Sequence, residues 1–250
     1  MQHPPILALA PMQDVTNLPF MQVVQQYGGP DYYVTEYFRV HADYSLEQKI
    51  LSSITENKTG RPVYAQLIGQ DTEALVRVAK ELQAYPIAGI DLNLGCPAPV
   101  VCRKDAGGGL LRKREHMEQI IASLRVSISG KFTVKTRVGY HSHDEFPELL
   151  EIFKRHEIDT LTIHGRTVTE RYQTPIHPEC IRLAAEQMSC PVIANGNVVD
   201  VDTGRGAINK TQADGLMIGR GAIRNPWIFD QLRASFSEQA PREVLRVDLL

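Results

Sequence analysis

Cys96 has the setting most suited to chemistry. It lies between Gly95 and Pro97, follows Asn93, and precedes the glycine-rich stretch Asp105-Ala106-Gly107-Gly108-Gly109. A thiol beside a segment able to move can close over a bound substrate and donate a proton. A lone cysteine is otherwise a small buried hydrophobe, and that plain reading holds for Cys102, Cys180 and Cys190. No two of these residues form a Cys-x-x-Cys pair, which argues against a disulfide framework or a thiolate zinc site.

A second group of residues is informative because it is polar where the surroundings are not. Gln66, Asn93, Lys135, His164 and Asn195 all interrupt apolar stretches, where an unpaired buried polar group is costly. Taken singly, each is equally well explained as satisfying a buried neighbour. Five of them at equivalent places point to a ligand site. Asn195-Gly196-Asn197 and Gly219-Arg220-Gly221 add glycines that let backbone N–H groups approach an anion, which suits a phosphate. Turns that need positive φ would explain the glycines but not Arg220. Phosphate alone fits sugar-phosphate enzymes as well as a flavin. The flavin reading rests on Gln66 at the ring edge and on Lys135 placing positive charge near N1. Ala10-Pro11-Met12 supplies a tight backbone and an apolar face, although Met12 also suits ordinary core filling.

These residues need a scaffold that gathers them. Eight apolar, β-branched runs recur at 6–11, 32–36, 63–69, 89–95, 132–138, 160–166, 191–197 and 215–221. Helical patterns lie between most of them: Leu75, Val78, Ala79 and Leu82 share one face, as do Met117, Ile120, Ile121 and Leu124, and Ile181, Ala184, Ala185 and Met188. Asp71 and Asn225 suit helix caps, with Pro226 at the first helical position. Strand and helix alternating eight times predict an α/β fold, a closed (β/α)₈ TIM barrel over 1–236, with a tail over 237–250. In such a barrel the functional side chains sit at the carboxyl ends of the strands, which is where the residues above fall. Residues 39–59 are expected to hold extra helical turns, and 204–211 is less clearly helical.

The 250 residues suit one such barrel, and 43% hydrophobic and 22% charged residues exclude wholesale disorder. The net charge of -2 gives no global attraction to nucleic acid, so an RNA partner would need a local cationic face. The N-terminal Met1-Gln2-His3-Pro4-Pro5 does not read as a secretory signal, and no stretch is apolar for the ~20 residues a spanning helix needs. A cytoplasmic, membrane-free monomer is expected. His141, His143 and Asp144 suggest a metal only if a further spaced ligand joins them, so no metal is expected. Arg112-Lys113-Arg114 reads as a solvated face or as a contact to RNA phosphate.

With these motifs assembled, the sequence resembles the tRNA-dihydrouridine synthases. Asp91-Leu92-Asn93-Leu94-Gly95-Cys96-Pro97, with Lys104 and the triple glycine downstream, is similar to that family's active-site segment. Ala10-Pro11-Met12, Gln66-Leu67-Ile68-Gly69, Val134-Lys135-Thr136-Arg137, Ile163-His164-Gly165-Arg166, Asn195-Gly196 and Met217-Ile218-Gly219-Arg220-Gly221-Ala222 follow in the family's order. The resemblance spans nearly the whole chain. Each motif alone is weak, whereas the ordered set is specific; dihydroorotate dehydrogenases share barrel and flavin but lack this combination.

The resemblance implies FMN-dependent reduction of uridine to 5,6-dihydrouridine in tRNA, with NADPH or NADH as a transient electron donor. Hydride would pass from N5 to C6 of a flipped-out uracil while Cys96 protonates C5; a stacked base cannot present C6 to a buried flavin. The implied cofactor set is Ala10, Pro11, Met12, Gln66, Lys135, His164, Asn195, Gly196, Asn197, Gly219 and Arg220. The implied substrate set is Asn93, Lys104, Arg137 and Arg166. No Gly-x-Gly-x-x-Gly unit follows a strand, so the nicotinamide would share the substrate cleft. The family's C-terminal helical domain, which grips tRNA, is expected to be absent or truncated here, making the chain a fragment or a weaker RNA binder. Asn197 stands where relatives often carry an acid, and the loop from Gly139 to Asp144 is unusual. Three other readings stay open: an FMN enzyme acting on a free pyrimidine, a flavin-free barrel acting on phosphorylated sugars, and a non-catalytic RNA-binding remnant.

Overall fold

The computed structural model describes residues 4–237. Nine parallel strands form one sheet: β1 (Ile6–Leu9), β2 (Tyr32–Val34), β3 (Phe38–Arg39), β4 (Val63–Ile68), β5 (Gly89–Leu94), β6 (Lys131–Arg137), β7 (Thr160–His164), β8 (Val192–Asn195) and β9 (Gly215–Ile218). β1 pairs with both β2 and β9, and β2 pairs with β4, so eight strands close into the expected TIM barrel. β3 is a two-residue stub that follows β2 and pairs with the far end of β4.

The helices are α1 (Leu18–Gln26), α2 (Gln48–Thr55), α3 (Thr72–Leu82), α4 (Pro99–Cys102), α5 (Arg114–Ser127), α6 (Phe146–Lys154), α7 (Pro178–Gln187), α8 (Val201–Thr211), α9 (Arg220–Arg224) and α10 (Ile228–Phe236). α3 illustrates why they form. Asp71 accepts the Ala74 N–H at its start, and Leu75, Val78, Ala79 and Leu82 bury one stripe against the barrel. Burial of each such large aliphatic side chain is worth about 1.5–3 kcal/mol relative to exposure.

The strands alternate more than their sequences suggest. In β5, Ile90, Leu92 and Leu94 join the large apolar cluster shared with the helices, while Asp91 and Asn93 point the other way, into the barrel. A separate small cluster of Ala8, Ala10, Val34, Tyr64, Ile193 and Met217 fills part of that interior. Apolar filling from one side of the ring thus meets polar residues from β4 to β8.

Several sequence expectations are corrected. Asn225 does not cap the last helix: it closes α9, and α10 starts at Ile228 after Trp227. Its side chain donates to Gln231 Oε1 at 2.7 Å instead. Residues 39–59 hold no extra helical turns beyond α2; the additional length is taken by β3 and a turn. Residues 204–211 are helical despite two glycines, because Asp200 caps α8 by accepting from Thr203 N–H at 2.8 Å. Gly204 is needed there, since an added Cβ would overlap Leu232. The tail expected over 237–250 lies, apart from Ser237, outside the described residues. Among those described, no helix is long and apolar enough to cross a membrane.

Candidate active site

A cleft of about 620 Å³ opens at the carboxyl ends of the strands. Most of the residues singled out from sequence line it: Ala10, Pro11 and Met12 after β1, Asn93 and Cys96 after β5, Lys135 and Arg137 from β6, and His164 from β7. Asn195, Gly196 and Asn197 after β8 and Gly219 and Arg220 after β9 complete it. Gln66, Lys104 and Arg166 do not line it.

Gln66 is fully buried beneath the cleft, and its amide is engaged at both ends. Nε2 donates to Asp91 Oδ2 at 2.7 Å, and Oε1 accepts from Asn93 Nδ2 at 2.9 Å. Arg166 is equally buried and braces the β7 and β8 loops, donating to the Thr174 and Tyr172 carbonyls and to Asn197 Oδ1. Its Nη1 is buried without a protein partner. Lys104 is exposed in the turn after α4. Arg137 reaches the cleft, but its guanidinium is already committed to the Gly95 and Thr167 carbonyls.

The cleft is cationic. Lys135, Arg137, Arg220 and Arg224 line it, and among the described residues no carboxylate does. Burial, together with the neighbouring Arg137 charge, lowers Lys135 to about 8, and its ammonium donates to Asn195 Oδ1 at 3.2 Å. Burial and then Arg137, Lys135, Arg166 and Arg220 hold His164 well below the usual imidazole range, so it is neutral. Its Nδ1 accepts the Arg166 N–H at 3.3 Å, which leaves the proton on Nε2 as a free donor.

The β8 and β9 ends form the glycine corner. Gly196 and Asn197 both adopt positive φ, 130° and 57°, and Gly221 packs so closely on the Val198 carbonyl that no Cβ fits. α9 is a short helix directly after β9, in the place where barrels often carry one beside a phosphate. The Arg220 guanidinium lies 3.9 Å from the centre of the Tyr172 ring.

Cys96 is half-buried, and its peptide is held on both sides. The Cys96 and Gly95 N–H groups donate to Asn93 Oδ1 at 2.9 and 3.0 Å, and the Cys96 carbonyl accepts from Gly108 N–H at 3.1 Å. The glycine-rich segment expected to move is packed against this turn in the structure. Gly107, Gly108 and Gly109 are buried in a 3₁₀ turn, and their missing side chains permit close packing on Cys96, Val168 and Cys102. Cys102 is no bystander either, because its thiol donates to the Cys96 carbonyl at 3.4 Å.

Sequence reasoning gave no role to Asp91, quoted only within the family-like segment, or to Glu36. Burial pushes the Asp91 carboxyl up to about 6, although Thr133 and Gln66 donate to it. Glu36 accepts the Asp14 N–H and so braces the loop after β1, while its Oε2 is buried without a protein partner. Its signal was an acid directly after an apolar run. The unusual 139–144 loop brings His143 beside residues distant in sequence. His143 stacks on His177 at 4.1 Å, and with Glu179 they offer ligand atoms within 4.8 Å of one another. This group is not part of the cleft lining, and His177 is already paired with Glu170 and Glu179. Arg112 is not simply solvated: it donates to Asp105 and the Cys102 carbonyl and lies 4.4 Å over Tyr140.

Among solved structures, the barrel is similar to N-(5'-phosphoribosyl)anthranilate isomerase from Pyrococcus furiosus, with a TM-score of 0.58 at 14% identity, covering 94% of this chain and 100% of that one. A variant of NCR from Zymomonas mobilis gives 0.65 at 14% identity, covering 97% and 89%. At that identity the likeness is one of fold. Sequence comparison is more specific. A probable tRNA-dihydrouridine synthase of Helicobacter pylori is 34% identical over 236 residues, covering 93% of this chain and 71% of that protein. One from Staphylococcus epidermidis is 31% identical over 252 residues, covering 98% and 77%. The tRNA-dihydrouridine synthase B of Pasteurella multocida is 31% identical over 222 residues, covering 88% and 67%. The family model described as dihydrouridine synthase (Dus) matches residues 8–248, so the chain belongs to the dihydrouridine synthase family and is an oxidoreductase of the tRNA-dihydrouridine synthase type.

Proposed function

We propose that this chain reduces uridine to 5,6-dihydrouridine in tRNA, using FMN and NAD(P)H, with Cys96 as the general acid. The observation that carries this reading is a cleft with four cationic side chains and, among the described residues, no carboxylate, on a chain whose net charge is -2. Positive charge is concentrated where a flavin phosphate and an RNA strand would both lie. That supplies the local cationic face which overall composition left in question.

The residues present fit FMN. The Gly196–Asn197 and Gly219–Arg220 loops offer a phosphate corner, and space at Gly219 is bounded by Met12 Sδ and Ala10 Cβ at 3.5 and 3.6 Å. Lys135 would hold positive charge beside the ring, where reduction adds negative charge. When bound, FMN would supply the two-electron chemistry, taking hydride from NAD(P)H and giving it to uracil C6. Asn195 orients Lys135 and is itself fixed by donating to the Met217 carbonyl at 2.7 Å. His164, neutral with its Nε2–H free, would donate to a carbonyl of the base. Cys96 would deliver the C5 proton from a peptide fixed at both ends.

The test separates the two half-reactions. Cys96→Ala should keep its flavin content and its rate of flavin reduction by NAD(P)H. Reoxidation by tRNA should slow roughly 10²–10⁴-fold, the usual loss for a positioned general acid. Cys190→Ala is the proper control, because Cys190 precedes β8 at the opposite end of the barrel, whereas Cys102 touches the Cys96 peptide. Reoxidation at the parent rate would remove Cys96 from the mechanism, and a free pyrimidine working as well as tRNA would remove the RNA substrate.

A further inference from the structure

The geometry points to Asp91 as a positioning residue that secures the buried end of a hydrogen-bond relay ending on the Cys96 peptide. The relay runs Asp91, Gln66, Asn93, Cys96. Each link fixes the next, because a carboxylate accepts whereas an amide has one accepting and one donating end.

Asp91 projects from β5 into the barrel and is almost fully buried. Its two oxygens accept from Thr133 Oγ1 at 2.6 Å and from Gln66 Nε2 at 2.7 Å. The register places all three side by side, with Gln66 opposite Asp91 and Asp91 opposite Thr133. Facing a carboxylate, Gln66 must present its NH₂ group, so its Oε1 faces the other way. That oxygen can only accept, and Asn93 must therefore offer Nδ2, at 2.9 Å. Asn93 Oδ1 is then turned toward the chain that follows, where it accepts the Gly95 and Cys96 N–H groups.

Without Asp91 the buried Gln66 NH₂ group loses its acceptor, and only the Asn93 NH₂, itself oriented by the Gly95 and Cys96 N–H groups, still calls for Gln66 Oε1. Flipping Gln66 would set its NH₂ against the Asn93 NH₂, and Asn93 would turn its own NH₂ toward two backbone N–H groups. The Cys96 peptide would lose its acceptor. The acid two links away thus completes a relay whose other end is fixed by two backbone N–H groups, and the thiol-bearing turn is held by both. The part this plays in turnover rests on the reading of Cys96 as the acid; the relay itself does not.

The experiment uses the full chain labelled with ¹⁵N-cysteine, which gives one amide signal for each of four cysteines. In Asp91→Leu the Cys96 amide should exchange with solvent at least about tenfold faster, the order expected from losing one hydrogen bond. Cys102, Cys180 and Cys190 should keep their rates. Asp91→Asn should restore parent-like protection at Cys96, because its Oδ1 still accepts from Gln66 while its NH₂ donates to Thr133. Should Asp91→Leu not fold, Gln66→Met breaks the relay one link later, with the same expectation. Unchanged Cys96 exchange, or equal acceleration at all four cysteines, would overturn the proposal, the latter by showing a merely structural role. Faster Cys96 exchange with undiminished reoxidation by tRNA would support the relay and instead count against Cys96 as the acid.

Discussion

The Asp91 carboxyl should make the folded protein lose stability as neutrality is approached, and Asp91→Asn should abolish that loss. Burial raises this group from its usual 3.8 to about 6, so between those values the folded state binds a proton that the unfolded state releases. Its contribution is fully present below 3.8 and is lost as pH rises through 6. Across the whole window the shift amounts to about 3 kcal/mol, at 1.36 kcal/mol for each unit. Between pH 5 and pH 7 it is on the order of 1 kcal/mol, and this interval avoids the titration of Lys135 near 8. Asparagine keeps the shape and the acceptor toward Gln66 but cannot titrate. Urea unfolding at the two pH values, followed by the single buried Trp227, measures the difference. The parent should lose on the order of 1 kcal/mol more than the variant on going from pH 5 to pH 7. Equal changes in both proteins, or a larger loss in the variant, would refute the reasoning.

Two further outcomes follow from the cleft. Lys135→Met should slow flavin reduction on the order of 10²-fold, the scale for losing a charge aimed at developing negative charge, while unfolding by urea is little affected because a buried cation is removed; stopped-flow absorbance and the same urea titration check both halves. Gly221→Ala should lower FMN content per chain, measured by acid extraction, because the added Cβ would meet the Val198 carbonyl and displace the corner between β8 and β9.

The scaffold was legible in the sequence because its signal is local. Apolar runs recur at barrel spacing, and helices such as α3 carry their stripe and their cap within a dozen residues. The cleft was legible because polar residues at strand ends in a parallel barrel must converge. What escaped was anything decided by pairing between strands. Gln66 reads as a cleft residue by type, yet it sits opposite Asp91 and is turned downward by it. Asp91 itself looks unexceptional until Thr133 and Gln66 are brought beside it from neighbouring strands. The triple glycine reads as mobility, but three buried glycines under a half-buried cysteine are a packing device. Asn225-Pro226 carries an authentic capping pattern, overridden because Asn225 already ends α9.

The closure of β1 against β9 bears on how such a chain is made. Arg233 in α10, beyond β9, ties back to the loop before β2 by donating to the carbonyls of Gly28, 205 positions earlier, and Gly29, and to Asp31. Contacts of such sequence separation carry a loop-closure cost, and they form slowly. A ribosome releases the strands in order, so β1 waits beside an unfilled place until the ninth strand emerges. During that wait the growing sheet has two open edges, each a template for pairing with another chain. The last seam to form is therefore the step that decides between a finished ring and an aggregate.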